Sequence, residues 1–248
     1  MIEISLKAEE LFQIGSFPVT NSLVITLVSF LLLTVLGWFF RKRISLVPGR
    51  IQNILEALLE GILKLMDSVL GHREKSEKYL PLIATIFLLV LVSNWLGLLP
   101  GVGSLGIQTL HEGKEIFVPI FRAPAADLNF TLALAVIAVF SVNIFGILAI
   151  GFIRYFKKFF NFRNPVLTFI GLLEFLSEFA KMVSFSFRLF GNIFAGEVLL
   201  IIVGFLTPYL IPLPFLFLEL FVGFIQAFVF AMLTLVFIAI ATQEHGAH

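Results

Sequence analysis

Residues 166–205 read VLTFIGLLEFLSEFAKMVSFSFRLFGNIFAGEVLLIIVGF, an apolar run into which Glu174, Glu178, Lys181, Arg188, Asn192 and Glu197 are set. As one helix this run would rise roughly 60 Å at 1.5 Å per residue, twice the hydrocarbon thickness of a bilayer. It must therefore tilt steeply, lie partly in the membrane plane, or break at Gly191 or Gly196. An arginine at the centre of a membrane helix costs about 2.5 to 3.5 kcal/mol on insertion scales. Arg188 therefore needs a compensating partner or a task.

The rest of the chain supports a membrane setting. Of 248 residues 59% are hydrophobic, 31 are Phe and only 13% are charged, which predicts an all-α polytopic membrane protein. The absence of cysteine excludes disulfides, iron–sulfur clusters and thiolate zinc sites. His72, His111, His245 and His248 lie outside the apolar runs, which excludes haem held between membrane helices. A net charge of +1 offers nucleic acid no polybasic field. No metal or cofactor is expected.

Taken as one membrane domain, 1–248, the chain divides into spans at 20–40, 80–99, 128–153, 166–205 and 212–242, with an amphipathic helix at 50–70. The last two spans are expected to form a long, strongly tilted hairpin. In the 50–70 helix Ile51, Ile54, Leu55, Leu58, Leu59, Ile62 and Met66 recur at helical spacing against Glu56, Glu60, Lys64 and Asp67. Such a helix lies on the membrane, against a partner, or on its own bundle. The first apolar run is of full spanning length and lacks a small-residue cleavage pattern, so it reads as a retained segment. Twelve of the seventeen Lys and Arg fall in 41–78 or 154–163. The positive-inside rule then predicts an outer amino terminus, an outer 101–127 loop and a cytoplasmic carboxyl terminus. GVGSLG at 101–106 matches a dinucleotide pattern but follows a membrane span and opens no βαβ unit. With no Walker sequence either, the chain has no visible means of hydrolysing ATP by itself, and no inverted repeat marks it as a secondary transporter.

Turning about 100° per residue from Arg188, Glu174, Ser177, Lys181, Ser184 and Asn192 fall within roughly 40° of it, whereas Glu197 falls on the opposite face. Glu219 and Gln226, seven residues apart in the last span, share a face. These groups either pair among themselves and hold two helices together, or serve an ion path. In the second case Arg188 faces outward to an acidic partner in another subunit, and Glu197 and Glu219 line a hydrated route behind it. Glu219 can face Glu197 or Gln226 across the hairpin.

At these residues the chain resembles subunit a of the F-type ATP synthase. The likeness runs through SNWLGLLPG, APAADLNFTLALA, NPVLTFIGLLEFLSEFAKMVSFSFRLFGNIFAGE and FIQAFVFAMLTLVFIAIATQEH. The resemblance implies a non-catalytic stator subunit of the membrane sector, in a bacterial-type plasma membrane, that couples H⁺ or Na⁺ passage to rotation. Its implied partners are a ring of c subunits, the b-subunit peripheral stalk, the rest of the complex and the bilayer. Arg188 matches the family's essential arginine, which meets a c-subunit carboxylate. Asn192 and Gln226 match polar neighbours, and Glu197 and Glu219 match half-channel positions, the second being His in some members. Glu174, Glu178, Lys181 and Ser184 are secondary candidates. Phe185 and Phe187 replace leucines of the family pattern, a conservative departure. A stand-alone ion channel or secondary transporter, with Arg188 as an anion-binding group, is the rival reading.

Overall fold

A computed structural model describes residues 8–15, 17–45, 48–99, 106–111, 114–120, 122–159, 164–207 and 210–243. Residues 101–105 of the GVGSLG stretch, Arg163, His245 and His248 lie outside these. Five helices are long and apolar enough to cross a membrane: α1 (Asn21–Arg43), α3 (Arg73–Gly97), α4 (Leu128–Ile150), α6 (Pro165–Leu206) and α7 (Pro212–Thr242). The amphipathic α2 (Arg50–Leu70) lies between the first two, and a short α5 (Phe152–Phe159) follows α4. The chain is an integral, multi-pass, all-α membrane protein.

Local chemistry fixes the ends of these helices. Thr20 Oγ1 accepts from the Leu23 amide to open α1, and Asp127 Oδ1 accepts from the Asn129 amide at 2.9 Å to open α4, each satisfying a donor that the first turn leaves orphaned. α2 ends at Gly71, whose φ of 77° suits a residue without Cβ and whose amide donates to the Asp67 carbonyl. Arg73 then pins the α2–α3 corner, reaching Glu60 at 2.6 Å, Asp67 at 3.0 Å and Glu77 at 3.2 Å. This anchoring explains why α3 begins at Arg73, two turns before the apolar run that starts at Leu80.

Two short antiparallel hairpins, which hydropathy does not signal, also appear. β1 (Glu10–Ile14) pairs with β2 (Phe17–Thr20) ahead of α1, and β3 (Gly106–His111) pairs with β4 (Lys114–Pro119) between α3 and α4.

The core lies where α3, α4, α6 and α7 meet. Ala135, Ala138, Ala227 and Ala231 let backbones approach, and Val90, Leu189, Leu235 and Ile238 fill the space between them. Thr131 and Ser186 share a buried hydroxyl contact at 3.0 Å across α4 and α6. α6 runs unbroken through Gly191 and Gly196 for 42 residues, roughly 63 Å at helical rise. It buries only a narrow edge, with Phe185, Ser186, Leu189 and Ile193 inward, and leaves Phe179, Val183 and Phe187 exposed.

Candidate functional site

The α6–α7 hairpin sets the register of the polar groups. Phe185 and Phe230 have ring centroids 5.0 Å apart, Lys181 Nζ lies 4.8 Å from the Phe237 ring centre, and Gly196 lies against Glu219. These contacts step along the two helices in antiparallel order and bring Gln226 level with Arg188. Arg188, Leu189, Phe185, Gln226, Phe230 and Leu233 line one shallow notch. Arg188 is exposed on α6 and, among the described residues, has no ion pair. Asn192, one turn on, and Ser184, one turn back, are exposed as well.

Two polar clusters flank this level. In the first, Glu219 is 5% exposed and its carboxylate occupies the gap opened by Gly196, where an added Cβ would overlap it. Of the two partners open to Glu219 in the sequence, the neighbourhood of Glu197 is thus the occupied one, and Gln226 lies two turns away beside Arg188. Glu197 faces Arg122, whose Nε is 3.5 Å from Glu197 Oε1 and whose side chain is 7% exposed. The last turn of α3 closes the cluster against α7: Asn94 Nδ2 donates to the Gly223 carbonyl at 3.2 Å and Trp95 Nε1 to the Leu220 carbonyl at 3.1 Å. Ser93 Oγ, Asn94 Oδ1 and Glu197 Oε2 are buried with no hydrogen-bond partner among the described residues. Nearby, Ser22 Oγ donates to Asp127 Oδ2 at 2.6 Å, tying α1 to the start of α4.

The second cluster lies toward the amino-terminal end of α6. Lys181 Nζ donates to Glu178 Oε1 at 2.6 Å, and Asn143 Nδ2 of α4 reaches Glu178 Oε2 at 3.5 Å. The helical wheel groups Lys181 with Arg188 in one outward stripe; in the structure the lysine turns aside to the carboxylate one turn behind it. A long flexible side chain covers a wide arc of helix surface, so angular position alone does not fix its partner. Glu174 is half-buried on the same stretch.

Sequence reasoning missed Arg122, Asn94, Asn143 and Tyr155. Arg122 left a usable signal, being a cation outside both basic clusters and immediately before APAAD. Asn143 left a weaker one, an amide within an apolar helix.

A family model described as ATP synthase A chain matches residues 22–239. The ATP synthase subunit a of Campylobacter jejuni subsp. doylei is 37% identical over 221 residues, covering 88% of each chain. That of Campylobacter fetus subsp. fetus is 34% identical over 248 residues, covering 99% of this chain and 100% of the relative. That of Campylobacter hominis is 36% identical over 208 residues, covering 82% of each.

Proposed function

The chain belongs to the ATP synthase A chain family, and from that premise we propose that it is the stator half of a rotary ion motor, with Arg188 as the group that faces the rotor. The observation that carries this reading is Arg188 itself: exposed on a face of α6 that it shares with the uncharged Ser184 and Asn192, without an ion pair among the described residues, while the carboxylates of Glu197 and Glu219 sit elsewhere on the hairpin. An arginine left in this state within its own chain is compensated by an acid on another, here a carboxylate of a c-subunit ring.

The mechanism follows from electrostatics. An ion, H⁺ or Na⁺, enters an outer half-channel past Glu197 and Glu219, where the unpartnered oxygens of Ser93, Asn94 and Glu197 suit a hydrated path. It neutralises a rotor carboxylate, and only the neutral form turns into lipid cheaply. After nearly one revolution it leaves through an inner half-channel bordered by Ser184, Lys181, Glu178 and Glu174. Arg188 favours the ionised rotor carboxylate at the point of release, and its fixed charge blocks direct leakage between the two paths. Asn192 and Gln226 keep the surroundings of the guanidinium polar. Lys is a poorer occupant of position 188, because an ammonium deprotonates more readily when desolvated. Each elementary charge crossing 100 mV supplies about 2.3 kcal/mol, so several ions pass per ATP made by the catalytic subunits.

The same reading supplies the setting: a bacterial-type plasma membrane, an outer amino terminus, a cytoplasmic carboxyl terminus, and the b-subunit stalk as a second neighbour. The test is an Arg188→Ala complex. It is expected to assemble, to keep ATP hydrolysis in its soluble sector and to lose ion-driven ATP synthesis. Synthesis at the wild-type rate would refute the motor reading, and substrate flux through the isolated chain without a rotor would favour a stand-alone transporter.

A further inference from the structure

The inner cluster is built more deeply than a lysine–glutamate pair requires. Tyr155 of α5 is 4% exposed, and its ring enters a notch left by Gly146 of α4. A Cβ at Gly146 would fall 2.5 Å from Tyr155 Cε2 and 3.1 Å from the Ala241 carbonyl oxygen, so the glycine makes the seat. From that seat the phenol donates to Asn143 Oδ1 at 2.5 Å. Asn143 Nδ2 donates to the Val139 carbonyl at 2.8 Å and points on to Glu178 Oε2. Glu178 accepts from Lys181, which rests on the Phe237 ring of α7. Four helices thus converge on one carboxylate that is only 11% exposed along its side chain.

Two features separate this arrangement from a simple helix tie. Apolar residues of similar volume would hold α4 against α6 without the desolvation that a buried ion pair carries. The hydrogen bonds also have a direction. A phenol with a proton to give fixes the carboxamide oxygen toward Tyr155 and therefore the NH₂ toward Glu178. Reversed, the carboxamide would set its oxygen against the carboxylate. Burial first, then the charges of Glu178 and Glu174, push the Tyr155 phenol up to about 12, so it remains a donor at working pH. Lys181 lies seven residues, two turns, from Arg188 on the same stretch of α6.

We infer that Tyr155 and Asn143 are positioning residues for ion transfer on the inner side of the membrane: the phenol locks the carboxamide, and the carboxamide aims the Glu178–Lys181 pair at the path between Arg188 and the inner surface. This inference rests on the ion path proposed above. The titratable groups whose fields meet here are Glu174, Glu178 and Lys181 of α6 and Tyr155 of α5, with Arg154 and Lys157 flanking Tyr155 in sequence; α4 contributes the neutral Asn143 and α7 the Phe237 ring.

The experiment uses the whole complex in inverted vesicles, with ATP-driven ion pumping measured while the pH of each compartment is varied separately. Tyr155→Phe keeps the ring in the Gly146 seat and removes only the hydroxyl; Asn143→Leu removes the carboxamide at similar volume. Both are expected to assemble, to pump about three- to tenfold more slowly, the scale of one lost hydrogen bond, and to change the response to cytoplasmic-side pH while leaving the response to outer pH unaltered. Wild-type pumping and profiles in both variants would overturn the inference. So would a loss of amplitude with both profiles unchanged, the outcome of a purely structural tie. An Arg188→Ala control separates the levels: if it still pumps, the ion-path reading itself fails, whereas an inactive control beside a wild-type Tyr155→Phe sinks only the inference.

Discussion

Gly196→Ala puts the geometry of the Glu197–Glu219 cluster to a quantitative test. The added methyl would overlap the Glu219 carboxylate, and ordinary van der Waals contact, near 3.5 Å between heavy atoms, is restored only by a displacement on the order of 1–2 Å. The displaced atoms are the far end of a flexible side chain, so the carboxylate can move without separating the helices. Replacing Gly by Ala within a helix also stabilises by roughly 0.5–1 kcal/mol, which offsets the rotamer strain. The net effect on stability is therefore small, while the effect on function is not. A misplacement of about 1 Å at a reacting group can cost on the order of a hundredfold in rate, so passive proton conductance through vesicles stripped of the soluble sector should fall between tenfold and a hundredfold. Assembly is read from the amount of complex purified, and conductance from decay of an imposed pH difference. Gly204→Ala is the control, because a Cβ there meets nothing within 4 Å and the position lies on the face of α6 opposite Arg188. Conductance of Gly196→Ala equal to that control would show that the seat of Glu219 has no part in ion entry, and loss of the assembled complex would show that the seat is structural.

Three other outcomes follow from the packing. Gly97→Ala should behave oppositely to Gly196→Ala, lowering the thermal midpoint and the yield, because its Cβ would meet Ala123 Cβ at 2.5 Å and the rigid Ala123 Cα at 2.7 Å. Asp127→Ala removes the α4 cap and the acceptor of Ser22; about 1–3 kcal/mol is at stake, visible as earlier thermal unfolding in detergent, whereas an unchanged melt would discount the cap. At the α2–α3 corner, hydrogen bonding from Arg73 holds Glu60 below its ordinary value of 4.5, and hydrogen bonding from Ser76 foremost, then Arg73, holds Asp67 below 3.8. Depressed carboxylate values mean that the contribution is complete above those figures and is lost as pH falls below them. Proteolysis near Gly71 should thus stay slow at neutral pH and accelerate only in acid; acceleration near pH 7 would contradict the assignment.

The helices were legible because hydropathy and length act locally. An apolar stretch of spanning length leaves few alternatives, and the apolar spacing of α2 marks its face. Boundaries were less legible where polar residues continue a helix: Arg73 begins α3 because Glu60 and Asp67, on the preceding helix, hold it there. The two hairpins escaped because short strands between membrane helices leave no periodic signal. At the site, residue spacing along α6 separated Arg188 from Glu197, and both fall in different surroundings in the structure. Spacing gave no access to Arg122, 75 positions from Glu197 in the chain, nor to the Asn143–Glu178 contact between α4 and α6. Partnerships between distant segments depend on how helices pack, and a single sequence does not display that.

Which face of α6 meets the rotor is the central claim, and cross-linking measures it most directly. Single cysteines at Ser184 and Gly191, exposed on the Arg188 side, and at Leu189 and Ile193, buried against the bundle, would each be combined with a cysteine beside the mid-membrane carboxylate of the c subunit. Ready disulfide formation at 184 and 191, with none at 189 and 193, is the predicted result. Cross-links at 189 and 193, with 184 and 191 silent, would contradict it and would turn Arg188 away from the rotor.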